Sequence, residues 1–265
     1  MLLVIDIGNT NLTFGIYQET KLLDVFRLTT NKHATSDEYG SKICDLLERK
    51  GIVLAEITGV AVSSVVPDLM YSFTRGIKRY LGVTPFVVEP GIKTGIRIST
   101  ENPKAVGADR IVDAVAAFEL YGGPVLVVDF GTATTFDVIT ADGELKYGVI
   151  VPGIRITADA LQEKAAKLPR IEIKRPQSIL GIDTISAMQS GIYFGYIGLT
   201  EYMITNMKAE LGRPDLQVVA TGGLGRMIAE ATDTIDIYNP ELTLEGLRIL
   251  YEKQEKRGGY GGADV

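Results

Sequence analysis

The chain has 265 residues, 46% hydrophobic and 23% charged, enough to bury a substantial core in one large domain or two smaller ones. No run of about 18 apolar residues occurs and the N-terminus enters a strand pattern with no basic leader, so neither a membrane span nor a secretory signal is expected. A net charge of −6 without a Lys/Arg-rich block argues against a nucleic-acid surface, and a single histidine (His33) and cysteine (Cys44) disfavour His triads, thiolate chemistry and typical zinc sites.

In chain order, Leu2–Ile7, Asn11–Tyr17 and Lys21–Leu28 read as three strands, with "QET" as a hairpin turn. His33 falls in the polar stretch "TNKHATSDEY", a solvated setting. "SDEYGSKICDLLERKG" follows as a helix with a Ser cap, periodic Ile43, Leu46 and Leu47, Cys44 on its apolar face and a terminal Gly51. A lone cysteine cannot form an internal disulfide, which fits a reducing compartment. "GVAVSSV" is a strand, "PDLMYSFTRGIKRYLG" a helix opened by Pro67, "PFVVEP" a strand and "GADRIVDAVAAFELYGG" a helix.

Strands "PVLVVDF", "TTFDVIT" and "ELKYGVIV" come next, with "ADG" as a turn, then helical segments over 153–167 and 182–211. The longer of these reads as a buried helix, either lobe core or a dimer contact. "LQVVA" is a strand, "GLGRMIAEA" a helix, "TIDIY" a strand and "NPELTLEGLRILYEK" a helix. The Gly-rich tail "KRGGYGGADV" is expected to fray.

The two halves repeat one plan. At an offset of 123 residues, Leu3–Leu28 aligns with Leu126–Val151 over 26 positions without a gap, with identities at Leu3/Leu126, Val4/Val127, Asp6/Asp129, Gly8/Gly131, Ile16/Ile139 and Leu22/Leu145. Each half reads βββαβαβα. The expected fold is α/β: two duplicated lobes, 1–122 and 123–265, with mixed sheets, helices on both faces and an interlobe cleft for a ligand.

The most unusual repeated feature is a strand that ends in Asp-x-Gly and turns into the next strand: "DIGNTN" and "DFGTATT". Gly8 and Gly131 let the backbone approach a ligand. Asn9, Thr10, Asn11, Thr132, Thr134 and Thr135 supply compact polar groups for phosphate oxygens. Asp6 and Asp129 together could hold a hard cation that neutralises polyphosphate; without one they would repel it. Asp109 and Arg110 stand side by side at a helix start. They suit either a proton acceptor with a guanidinium clamp, or a dipole-favoured Asp beside a solvated Arg.

"DIGNTN", "DFGTATT" and "TGGLG" (Thr221–Gly225) resemble the phosphate 1, phosphate 2 and adenosine motifs of the acetate and sugar kinase/Hsc70/actin superfamily, whose lobes have the actin-like (ribonuclease H-like) fold. With "GADR" and "GVIVPGI" added, the whole chain resembles type III pantothenate kinase. That resemblance implies ATP-dependent phosphorylation of pantothenate's primary hydroxyl, the first step towards coenzyme A, with Mg2+ and K+ or NH4+ as cations, in a cytoplasmic homodimer. It makes Asp109 the proton acceptor, and gives pantothenate contacts to Gly107, Ala108, Asp109, Arg110 and Thr184. ATP contacts fall to Asp6, Ile7, Gly8, Asn9, Thr10, Asn11, Leu12, Thr13, Thr132, Gly222 and Gly223. Asp129, with Asp6, would hold the cation.

Thr184 could equally be a plain helix cap. "EPGIKTGIRIST" lacks the aromatic that family members often carry near the pantothenate pocket. No Walker A signature is present, which disfavours a P-loop kinase. Two alternatives remain: a kinase or phosphatase of the same superfamily acting on a sugar, acetate or polyphosphate, and a non-catalytic nucleotide-binding regulator.

Overall fold

The computed structural model describes residues 1–258. From residue 259 on, the tail expected to fray lies outside the described residues. The chain forms two compact units: Met1–Arg97, Glu101–Ala116 and Leu242–Val265 in the first, Ile98–Thr100 and Ala117–Glu241 in the second. No helix among the described residues is long and apolar enough to cross a membrane.

In the first unit, β1 (Leu2–Ile7), β2 (Asn11–Gln18) and β3 (Lys21–Thr29) form an antiparallel meander. After α1 (Ser36–Arg49), β4 (Gly59–Ser64) pairs parallel to β1, and after α2 (Pro67–Leu81), β5 (Phe86–Val87) pairs parallel to β4. The sheet order is β3-β2-β1-β4-β5. Leu3, Ile5, Phe14, Ile16, Val60 and Val62 bury against Ile43, Leu47, Phe73 and Ile77 of α1 and α2. The cap of α1 is Thr35, where the sequence suggested the serine. Its side chain accepts from the Glu38 amide while the Glu38 carboxylate takes the Thr35 N–H, so the Thr-x-x-Glu box is used and Ser36 becomes the first helical residue.

The segment "PFVVEP" yields only the two-residue β5, since Pro85 and Pro90 at its ends lack the N–H a ladder needs. β6 (Arg97–Ile98) was not legible in the sequence, because two residues carry no periodicity. α3 (Ala108–Tyr121) then leads into the second sheet.

That sheet repeats the first. β7 (Val125–Phe130), β8 (Ala133–Ile139) and β9 (Glu144–Pro152) form the meander. α4 (Ile154–Lys164) and α5 (Thr184–Glu210) precede β10 (Gln217–Thr221); α6 (Gly225–Ala229) precedes β11 (Ile237–Tyr238); α7 (Leu242–Glu255) ends the described chain. The order is β11-β10-β7-β8-β9-β6, the first sheet's order with one strand added at its edge. Phe136, Val138, Val218 and Ala220 pack with Ile154, Ile192, Tyr196 and Ile204 of α4 and α5. "TIDIY" is strand only at Ile237–Tyr238.

The duplication is visible in a shared irregularity. Both meanders carry a bulge, between Ile16 and Tyr17 in the first and between Val138 and Ile139 in the second. The registers also correct the gapless alignment. Ile7 faces Leu12 but Phe130 faces Thr134, so the second turn is one residue shorter and Ile16 corresponds to Val138 rather than Ile139.

The C-terminal helix departs from the division expected at 122/123. Leu244, Leu247 and Leu250 of α7 bury with Val4, Ala61, Val112 and Val115, so α7 belongs to the first unit's core. A Cβ on Gly246 would collide with the Val112 carbonyl, which explains why glycine interrupts an otherwise leucine-rich face.

Candidate active site

In the first unit, the parallel register of β1 and β4 sets Asp6 beside Ser63. Ser63 is fully buried and its hydroxyl donates to Asp6 Oδ1 at 2.7 Å. Burial pushes the Asp6 carboxyl up to about 7; the Ser63 hydrogen bond opposes the rise, and the charge of Asp109 adds to it. Asp6 and Asp109 are thus electrostatic neighbours, a pairing the sequence did not make.

Asp109 is the second residue of α3, and its Oδ1 accepts from the Arg110 amide at 2.8 Å. The carboxylate curls back over Gly107, where a Cβ would stand 2.5 Å from Oδ1. That approach requires glycine at 107. The motif "GAD" is therefore a physical unit: the glycine clears the space that the carboxylate occupies.

The turn between β1 and β2 is closed by the Gly8 amide donating to the Asn11 carbonyl at 3.0 Å. Thr30 pins it from β3's end: its hydroxyl donates to the Gly8 carbonyl at 2.6 Å and its amide to the Thr10 carbonyl at 3.0 Å. Asn9, Thr10 and Asn11 are exposed at the tip and Thr13 is half-buried. Ile7 and Leu12 are fully buried, so only their main chain is available to a nucleotide. Gly8 does not need positive φ; a Cβ there would lie 3.2 Å from the Asn11 carbonyl oxygen.

The second unit repeats the arrangement with changes. The β7–β10 register sets Asp129 beside Thr221, as Asp6 stands beside Ser63. Gly131 and Thr132 are exposed at the shorter turn. Thr134 and Thr135 are not presented to a ligand. Both are buried in a central strand, and the Thr134 hydroxyl shares a 3.0 Å hydrogen bond with Tyr196, which donates to the Pro152 carbonyl. Gly222 has φ +94, and a Cβ there would stand 2.7 Å from Asp129 Oδ1 and 2.6 Å from the Phe130 backbone. Its absent side chain keeps the Asp129 carboxylate accessible. Gly223 meets nothing close. Gly153 is held tightly too, its amide donating to the Thr132 carbonyl at 3.2 Å.

Thr184 is the first residue of α5, and its neighbour Asp183 is the cap, accepting from the Ser186 amide at 2.9 Å. This removes the plain-cap reading of Thr184. The exposed Thr184 instead lines a largely apolar cavity of about 980 Å³ with Thr157, Lys164 and Met188. His33 is exposed, as its polar surroundings suggested.

Ser63 is the site-forming residue that sequence reasoning missed, while Thr221 and Gly153 lay inside the motifs "TGGLG" and "GVIVPGI" without roles of their own. The signal for the two hydroxyls was present: "VAVSS" and "VVATGG" each end an apolar strand in a hydroxyl residue. Only the strand register shows that the hydroxyl faces an aspartate.

Among the described residues, no three His, Cys, Asp or Glu side chains cluster as a metal site. The donors present fit a cation held jointly by single carboxylates and phosphate oxygens, as magnesium is in nucleotide sites. Asp6, whose burial disfavours its anion, is the kind of carboxylate that a neighbouring cation would keep ionised.

The family model for type III pantothenate kinase matches residues 2–206. A type III pantothenate kinase of Agathobacter rectalis is 53% identical over 258 residues, 97% of this chain and 99% of that one. Another, from Bacillus cytotoxicus, is 51% identical over 253 residues, 96% of each chain. In fold alone, a solved Sinorhizobium meliloti protein described as a 2-dehydro-3-deoxygalactonokinase superposes with a TM-score of 0.59 at 12% identity, covering 100% of this chain and 99% of that one. The fold is a duplicated actin-like α/β fold, and the chain belongs to the type III pantothenate kinase family.

Proposed function

We infer that the chain transfers the γ-phosphoryl group of ATP to the primary hydroxyl of pantothenate, giving 4'-phosphopantothenate and ADP, the first step of coenzyme A biosynthesis. Family membership supports the reaction, and one observation supports the assignment of roles: the Gly107 turn holds Asp109 where its charge is felt at Asp6, beside the turn of the first hairpin.

Phosphoryl transfer asks a protein for positioning and charge neutralisation more than for covalent work. Asp109 accepts the proton of the acceptor hydroxyl as its oxygen attacks the γ-phosphorus. Gly107, Ala108, Arg110 and Thr184 hold pantothenate. The main chain of Asp6–Thr13, the side chains of Asn9, Thr10 and Asn11, Thr132, and the Gly222–Gly223 turn bind the nucleotide. Magnesium bound with ATP would supply neutralisation of the charge that develops on the phosphoryl oxygens. Asp129, kept accessible by Gly222, holds a monovalent cation, K+ or NH4+, with Asp6 contributing.

The seam of the duplication lies at 122/123, with two actin-like lobes, because each repeat begins at the first strand of a meander. The active form is a homodimer whose contact is the exposed glycine face of α5, at Gly191, Gly195 and Gly198. The cytoplasm is its compartment, consistent with a lone thiol, Cys44, whose pKa is raised by burial.

The test is ADP release with ATP, Mg2+ and pantothenate, run in parallel K+, NH4+ and Na+ salts. Turnover that requires pantothenate and K+ or NH4+ is expected. Turnover of a sugar or acetate instead of pantothenate would overturn the substrate. Asp129→Ala should lose activation by the monovalent cation while keeping its melting temperature, and unchanged K+ dependence in that variant would remove Asp129 from the cation site.

A further inference from the structure

The turn between β1 and β2 is left open, and one side chain holds it so. In an ordinary two-residue hairpin the facing residues exchange two main-chain hydrogen bonds. Gly8 and Asn11 make one of them, the Gly8 amide donating to the Asn11 carbonyl at 3.0 Å. The return bond, from the Asn11 amide to the Gly8 carbonyl, is not formed. Instead the Gly8 carbonyl accepts from the Thr30 hydroxyl at 2.6 Å, while the Thr30 amide donates to the Thr10 carbonyl at 3.0 Å.

Peptide planarity turns these two bonds into an orientation. In a trans peptide the C=O and the following N–H point in opposite directions. With the Gly8 and Thr10 carbonyls both turned to Thr30, the Asn9 and Asn11 amides are turned away from it. Among the described residues neither amide has a hydrogen-bond partner. Two unspent main-chain donors in one turn make a cradle for an anion.

The second unit separates what the fold needs from what Thr30 adds. There the residue just past the third strand of the meander is Gly153, and its amide donates to the Thr132 carbonyl at 3.2 Å, as Thr30 does to Thr10. A Cβ on Gly153 would collide with the Gly131 and Thr132 carbonyls, so that position carries no hydroxyl. The main-chain latch therefore belongs to the duplicated fold, and the hydroxyl belongs to the first turn alone.

Resting on the pantothenate kinase reading above, we propose that Thr30 is a positioning residue for ATP: by holding the Gly8 carbonyl it keeps the turn open, so that the Asn9 and Asn11 amides donate to phosphate oxygens of the nucleotide. Thr30 touches neither substrate. It acts on nucleotide binding and takes no part in the proton transfer.

The experiment compares wild type, Thr30→Val and Thr30→Ser. Valine keeps the shape and the main-chain latch and removes only the hydroxyl; serine restores it. The readouts are the Kd of Mg·ADP by calorimetry, the KM values for ATP and pantothenate, kcat, and the melting temperature without ligand. In Thr30→Val the Kd of Mg·ADP and the KM for ATP should both rise about fivefold, the size of one neutral hydrogen bond. The KM for pantothenate and kcat should stay within about twofold, and Thr30→Ser should return all values to within about twofold of wild type. Unchanged Mg·ADP affinity in Thr30→Val overturns the proposal, whether or not the melting temperature falls. A loss that serine does not restore, or that pantothenate shares equally, overturns it too. Turnover of a sugar in place of pantothenate would fail the functional reading alone, since the Mg·ADP titration needs no acceptor and still decides for or against Thr30.

Discussion

Asp109 concentrates the proposed chemistry on one carboxylate, so its amide is the most direct test at the level of single residues. Asp109→Asn should cut turnover by about 10²–10⁴-fold with unchanged circular dichroism, since it removes a proton acceptor and keeps the shape. Unchanged ADP release would mean that positioning alone suffices. Asp6 carries the pH prediction. Its folded carboxyl titrates near 7, above its ordinary 3.8, so the folded state binds the proton more tightly than the unfolded chain does. The stability contribution is therefore full below about pH 4 and lost as pH rises through about 7. Melting curves without nucleotide should show wild type losing more stability than Asp6→Asn between pH 5 and 8; parallel curves would contradict the buried, protonated carboxyl. Both aspartates were legible because Asp-x-Gly and Gly-Ala-Asp are sequence-local units. Ser63 and Thr221 were not, because a hydroxyl at a strand end looks like the start of a loop until the register is known. Thr134 and Thr135 were misread for the same reason. A threonine after a turn looks exposed, and only the packing of α5, whose Tyr196 meets the Thr134 hydroxyl, shows that it is buried.

At the scale of elements, the meanders and most helices follow from periodicity, while the short pieces β5, β6 and β11 depend on neighbours that only the fold supplies. The two hairpin turns that follow Asp6 and Asp129 differ by one residue, which a gapless alignment concealed because Ile16 and Ile139 happen to be identical. The first turn offers three polar side chains at its tip; the second offers Thr132, framed by glycines. Helix α5 makes a separate statement. Gly191, Gly195 and Gly198 are exposed at helical spacing with open space where their Cβ atoms would be, and Tyr202 continues the face at 67% exposure. A helix surface without side chains permits a second helix to approach closely. Gly195→Leu should convert the proposed homodimer to monomer in light scattering without lowering helix content. A variant that stays dimeric would move the interface elsewhere.

For the whole molecule, the sequence repeat predicted two lobes of βββαβαβα succession with mixed sheets, yet neither their strand order nor the return of α7 to the first unit. Nothing local in "LTLEGLRILYEK" says which sheet its leucines will cover; an amphipathic face fits either. The allocation comes from packing, with Leu247 fully buried against the Val4 and Val115 side of the first core. Leu247→Ala should therefore cost about 2–5 kcal/mol, read by chemical denaturation. A cost under about 1 kcal/mol would mean that α7 is peripheral. The same placement has a consequence for synthesis. A ribosome delivers β1 well before α7, so the opening strands must wait until the second unit has been made before their partner helix emerges. The second unit needs no such late segment. During translation the order of completion should therefore be inverted, with the later-made unit finished first and the N-terminal strands the longest dependent on chaperones.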